Sequence, residues 1–189
     1  MFPFKKDLVS TQRHFTKWIE NTCEYIIVHH TATPPGTLKG NIKILTGTNP
    51  DGSEFKTMNP VSAHFLIDSN GDAYKLADPK QVTWHAWQSN WWKIVGMSYH
   101  WLGIEVIGPG FTNEQRATVR ALIQHLMGVF KIPGENVLRH ADLTWSGSWK
   151  KILWDEKSLT RKPDIDASFW KIDRTSWKQY QDSFIPKII

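Results

Sequence analysis

The run Tyr25-Ile26-Ile27-Val28-His29-His30 constrains this chain more than any other segment. Its aromatic and β-branched residues favour an extended strand, so residues 24–30 are expected in a sheet. The strand ends in two imidazoles. Successive side chains on a strand point to opposite faces, so only one of His29 and His30 can face a given site. Thr33-Pro34-Pro35-Gly36 then breaks the chain, and residues 37–61 read as a long polar connection with a turn at Asn49-Pro50-Asp51-Gly52. Segments 62–68 and 72–76 form a hairpin about Asn70-Gly71, a strong two-residue turn signal. A short strand is expected over 81–84, an aromatic-rich loop over 86–101, and another strand over 102–107, closed by Gly108-Pro109-Gly110.

The clearest helix follows. Thr112-Asn113-Glu114-Gln115 fits a capping box. Val119, Leu122, Ile123, Leu126, Met127 and Phe130 then fall on one helical face, with His125 off it and in solvent. Pro133-Gly134 ends the helix, and a strand over 136–139 leads to His140. Residues 141–160 set Trp145, Trp149 and Trp154 among lysines, with no element assigned. The reading places a leading helix over 7–20 and an amphipathic helix over 168–180. Strands mixed with helices imply an α/β single domain, a central mixed β-sheet flanked by helices.

Length agrees with one domain, since 189 residues suffice for a sizeable core. The net charge of +5 suits either plain solubility or attraction to a polyanion such as nucleic acid, anionic lipid or bacterial wall. Eleven Trp do not choose among these, because Trp stacks on sugars and on bases alike. No nucleic-acid motif accompanies the scattered lysines, so a nucleic-acid partner is not expected. Cys23 has no second cysteine to pair with and is expected as a small buried hydrophobe. The N-terminal segment lacks the apolar run of a signal peptide, and no stretch is long and apolar enough for a membrane span. The protein is expected to be made in the cytoplasm, to stay there or leave by a route not written in its sequence, and to be a monomer.

Any lone histidine is more often structural than a ligand. The combination of His29, the distant His140 and Asp164 is more informative, with Lys162 beside the last. Two imidazoles and one carboxylate form a known catalytic zinc set that leaves the fourth position open. Such a zinc acidifies its water and polarises a carbonyl, so the residues point to a zinc hydrolase.

Six blocks occur in order: IIVHHTATPPG, SAHFLIDSNGDAYKL, TWHAW, LGIEVIG, RHADL and RKPDIDASF. Together they resemble the zinc-dependent N-acetylmuramoyl-L-alanine amidases, which include phage lysozyme-type endolysins, AmpD-type amidases and peptidoglycan-recognition proteins. The resemblance covers about residues 24–170 and implies one catalytic domain over 1–189, with zinc in a surface groove. It implies that His29, His140 and Asp164 hold Zn2+, that Glu105 handles the proton, and that Lys162 stabilises the developing oxyanion. The implied reaction cuts the amide between N-acetylmuramic acid and L-alanine. Some relatives carry a Tyr where this chain has Ala63, which makes Glu105 the better base. His64 and His85 match family positions with buried hydrogen-bonding roles, and His85, Trp145 and Trp149 are candidate substrate-groove residues. Asp142 and Asp166 are rival third ligands. Lys162 follows His140 by 22 positions, more than in close relatives, so the intervening segment is either an inserted wall over the groove or a sign that the Lys162 match is shifted. Two roles are implied: an endolysin that reaches the wall through a separate holin, or a cytoplasmic AmpD-type enzyme that recycles anhydro-muropeptides. A non-catalytic peptidoglycan binder is a further alternative, opposed by the retained ligand set.

Overall fold

Strand alternation organises the molecule around the two histidines. In this computed structural model, residues 2–9, 12–85, 89–91, 94–95, 97–108, 112–140, 144–145 and 160–161 are described. The elements run β1 (Lys6–Asp7), β2 (Phe15–Glu20), β3 (Tyr25–His30), α1 (Leu38–Thr46), β4 (Phe65–Ile67), β5 (Ala73–Lys75), β6 (Gln81–Thr83), β7 (Ser89–Trp91), β8 (Ile94–Val95), β9 (Trp101–Val106), α2 (Asn113–Phe130), β10 (Val137–Arg139), β11 (Thr144–Trp145) and β12 (Thr160–Arg161).

The central sheet has six strands in the order β1-β5-β4-β9-β3-β10. Strands β4, β9, β3 and β10 run parallel, and β5 lies antiparallel to β4. This is the mixed α/β sheet that the sequence implies. Ile26, Val28, Phe65, Ile67, Leu102, Ile104, Val106 and Val137 gather on one face and pack with Val119, Leu122, Ile123 and Leu126 of α2. The other face carries Leu66, Tyr74 and Leu76, which pack with Leu45 and, at the margin, Leu38 and Ile42 of α1. The two helices therefore cover opposite faces.

Helix α2 begins as its sequence dictates. The Thr112 hydroxyl accepts from Gln115 N–H at 3.1 Å, and the Gln115 side chain accepts from Thr112 N–H at 2.9 Å, so both halves of the capping box form. The same Gln115 amide donates to the carbonyls of Asp68 and Ile107, which ties the helix start to the ends of β4 and β9. The hairpin before it turns at Asn70-Gly71 as expected, with Gly71 at φ 84°, a conformation that costs glycine little. His125 differs from expectation: it is half-buried, with its ring 5.8 Å from that of Phe2.

Three other expectations are corrected. The segment 7–20 is not a helix: β1 pairs in parallel with Tyr74 and Lys75 of β5, and β2 pairs antiparallel with β6. Backbone partners more than 60 positions away decide that conformation, and local propensity does not. The connection over 37–61 contains α1, whose local signals are poor. Thr37 makes no side-chain capping bond, and Gly40 costs a helix interior about 1 kcal/mol relative to Ala. Burying Leu45 fully, worth about 1.5–3 kcal/mol, with partial burial of Leu38 and Ile42, outweighs that cost. The aromatic loop over 86–101 contains β7 and β8, which join β11 and β12 in a four-stranded sheet of order β12-β11-β7-β8. The expected helix over 168–180 lies outside the described residues. Among the described residues, no helix is long and apolar enough to cross a membrane.

Candidate active site at the ends of the parallel strands

The C-terminal ends of β3, β9 and β10 meet at one edge of the sheet, where α/β sheets usually carry their ligands. In the β3–β9 register His29 lies opposite Glu105, and Glu105 lies opposite Leu66 on its other side. Arg139 of β10 lies opposite Val28, so the next residue, His140, comes beside His29. The two imidazole rings stand 4.6 Å apart between centroids and are tilted by 47°. His29 is buried, while Glu105 and His140 are half-buried. Three side chains that the sequence separates by up to 111 positions are thus neighbours at one strand edge.

The choice within the histidine pair follows from the pleat. His29 shares its face with Glu105 and points away from α2. His30 points the other way, is half-buried, and accepts a 2.9 Å bond from Ala32 N–H at Nδ1. Burial holds its pKa below the usual imidazole value.

Two further imidazoles stand behind the pair. His85 Nδ1 lies 2.9 Å from His29 Nε2, with the rings edge to face at 88°. His64 is fully buried and tightly specified: its Nδ1 accepts from Gly103 N–H at 3.0 Å and faces the Thr83 hydroxyl at 3.1 Å. Its Nε2 therefore carries the hydrogen and donates to the Gln81 carbonyl at 2.9 Å. Asn21 Nδ2 also comes within 3.3 Å of Nε2, but both atoms then carry hydrogens. That amide instead donates to the Trp101 carbonyl, and its oxygen accepts from Cys23 N–H. The buried hydrogen-bonding role expected of His64 is what the structure has. Cys23 is buried as expected, and desolvation pushes its thiol up to about 11.

Burial lowers the His64 pKa from 6.5 to about 4, partly opposed by the Gln81 bond and the Asp78 charge. The unfolded chain then binds a proton between those values that the folded chain refuses, so the contribution is fully present above pH 6.5 and is lost as pH falls through about 4. A shift of this size is worth about 3 kcal/mol. Urea denaturation of the wild type is expected to show stability declining through that window, and His64→Gln should show a flatter profile. Equal slopes would remove His64 as the cause.

The donor chemistry here fits a zinc ion: two imidazoles side by side, one with its other nitrogen already engaged by a neighbour. Among the described residues no three metal-ligating side chains gather around one point. Asp164, Lys162, Trp149 and Trp154, with the rivals Asp142 and Asp166, lie outside the described residues. The backbone nonetheless bears on the 22-position gap. Strands β11 and β12 pair antiparallel, Thr144 opposite Arg161 and Trp145 opposite Thr160. The excursion therefore returns to its own start one residue before Lys162. Sequence reasoning missed Gly103, although a lone glycine inside an apolar strand is a signal of close approach. A Cβ at that position would lie 2.7 Å from atoms of the His85 ring.

The parallel-strand edge thus brings together two imidazoles and a carboxylate, groups that can hold a metal ion and move a proton. Comparison with known proteins specifies it. The family model for N-acetylmuramoyl-L-alanine amidase matches residues 20–152, which includes His29, Glu105 and His140 and ends before Lys162. The chain belongs to this family and is an N-acetylmuramoyl-L-alanine amidase, an enzyme acting on peptidoglycan. The 1,6-anhydro-N-acetylmuramyl-L-alanine amidase AmpD of Salmonella typhimurium is 27% identical over 128 residues, covering 63% of this chain and 68% of the relative. Similar folds include a mutant endolysin from Bacillus subtilis, with 22% identity, TM-score 0.56 and coverage of 74% of this chain and 84% of that one. Another is the amidase AmiD from E. coli, solved with anhydro-N-acetylmuramic acid-L-Ala-D-gamma-Glu-L-Lys, at 21% identity, TM-score 0.53 and coverage of 69% and 53%.

Proposed function

We propose that this chain is a zinc-dependent amidase of endolysin type that cuts polymeric peptidoglycan between N-acetylmuramic acid and L-alanine. The observation that carries the reading is the pair of His29 and His140 rings, 4.6 Å apart, beside Glu105 in a chain of the amidase family. His29, His140 and Asp164 would hold the metal, which when bound would acidify a water and polarise the scissile carbonyl. Glu105 takes a proton from the attacking water and returns it to the leaving amide nitrogen. Lys162 stabilises charge on the carbonyl oxygen, an effect worth about 3 kcal/mol for one donor in other enzymes. The pairing of Arg161 with Thr144, four positions after His140 in the chain, supports this reading. Trp145 and Trp149 line the groove and stack on sugar rings, and residues 1–189 act as one catalytic domain, a monomer.

The charge of +5 and the eleven Trp favour an anionic, sugar-rich polymer, and hence a bacteriolytic, antimicrobial enzyme that reaches the periplasm or cell wall through a separate holin. The Salmonella relative favours a second reading, an AmpD-type enzyme that acts in the cytoplasm on soluble anhydro-muropeptides. One experiment separates the two. The protein is incubated with purified sacculi and with a soluble anhydro-muropeptide, and products are measured by mass. Faster release of stem peptides from sacculi is expected. Turnover confined to the muropeptide would establish the recycling role instead.

A further inference from the structure

We infer that His85 is a positioning residue that fixes the tautomer and the ring orientation of the ligand His29. The inference rests on the zinc reading above and adds a residue to it. His29 Nε2 and His85 Nδ1 stand 2.9 Å apart, a hydrogen-bond distance. One of the two nitrogens carries the shared proton. When His29 binds a metal through Nδ1, its Nε2 keeps a hydrogen, and that hydrogen is donated to His85 Nδ1. A ligand imidazole whose second N–H has a fixed acceptor is more basic at the ligating nitrogen and cannot rotate away.

The seat of His85 is built for this task. Its ring lies flat on the place where any residue but glycine at 103 would put a Cβ, with three ring atoms 2.7 Å from that point. The fully buried Trp101 meets the ring edge to face at 5.7 Å and 86°. His64 meets it at 6.0 Å and 76°, and His64 is itself immobilised by Gly103, Thr83 and Gln81. Trp101, Gly103 and Glu105 alternate along β9, so they share one face. The strand that presents Glu105 also supplies the wall and floor under His85. A ring held on three sides in this way is a fixed acceptor, and the groove-lining role expected from the sequence does not require such a seat.

Zinc affinity reads the bond directly. It is measured by competition with a chromophoric chelator on the full chain, for wild type, His85→Ala, His85→Asn, His85→Gln and His29→Ala. His85→Ala is expected to weaken zinc binding about 10–100-fold. Asn places its side-chain oxygen near the position of Nδ1 and should recover most of that loss. Gln reaches the position of Nε2 and should recover little. If His85→Ala does not fold, the contrast between Asn and Gln decides the matter. At saturating cobalt, the visible bands of His85→Ala should keep their wild-type positions, because the metal's own ligands are unchanged. Shifted bands would make His85 a ligand and overturn the inference. Unchanged zinc affinity with a raised KM would make it a substrate contact and also overturn it. If His29→Ala binds zinc as tightly as wild type, the metal reading itself fails. If only His29→Ala loses zinc, the reading stands and the role of His85 falls.

Discussion

Replacing His29 or His140 by alanine is expected to remove zinc from the purified protein and to abolish release of L-alanine stem peptides. The two rings sit side by side, and each would supply one of only three protein donors to an open-sided ion, so no other donor compensates. The fall in metal affinity should exceed the roughly 100-fold that loss of an outer hydrogen bond brings. His30→Ala is the internal control. Its ring turns to the other side of β3 and bonds to Ala32, so the variant should keep zinc and turnover. Metal analysis after zinc-replete expression, together with peptide release measured by mass, checks both results. An active His29→Ala paired with an inactive His30→Ala would assign the ligand to the wrong member of the pair. Wild-type protein that holds no zinc and is indifferent to a chelator would remove the metal from the mechanism.

Glu105→Ala is expected to keep zinc and fold while losing about 10²–10⁴-fold in turnover, the usual contribution of a positioned general acid–base group. Its placement separates those outcomes. Glu105 lies one residue before the end of β9, between β3 and β4 and opposite His29, yet it is half-buried. Ala63 offers no hydroxyl in its place. Glu105→Gln keeps the shape and removes the base, so it should be as inactive as the alanine variant and as stable as the wild type. A Glu105→Gln enzyme with most of its turnover would move the base elsewhere. A variant that melts early or loses zinc would show Glu105 to be scaffold.

Much of this arrangement was legible in the sequence because it depends on local periodicity. The aromatic and β-branched residues Tyr25 to Val28 favour a strand, and the strand's period of two separates His29 from His30. Thr112 and Gln115 cap α2 with bonds that span three residues, so the helix start was readable without any partner. Asn70-Gly71 fixed its hairpin for the same reason.

Tertiary structure decided everything whose partners are distant. Segment 7–20 is extended because β5 and β6 offer it backbone bonds, which no window of its own sequence contains. Helix α1 has a weak start and an internal glycine, and it forms because the sheet face of Leu66, Tyr74 and Leu76 needs a cover. The sequence by itself supplied His29, Glu105, His140, Asp164 and Lys162 as candidates through a resemblance of ordered blocks. The parallel register of β3, β9 and β10 brought the first three to one edge. Only the fold revealed that Gly103 makes room for His85 and that His85 in turn faces His29, because a missing side chain becomes informative when another ring fills the space it leaves.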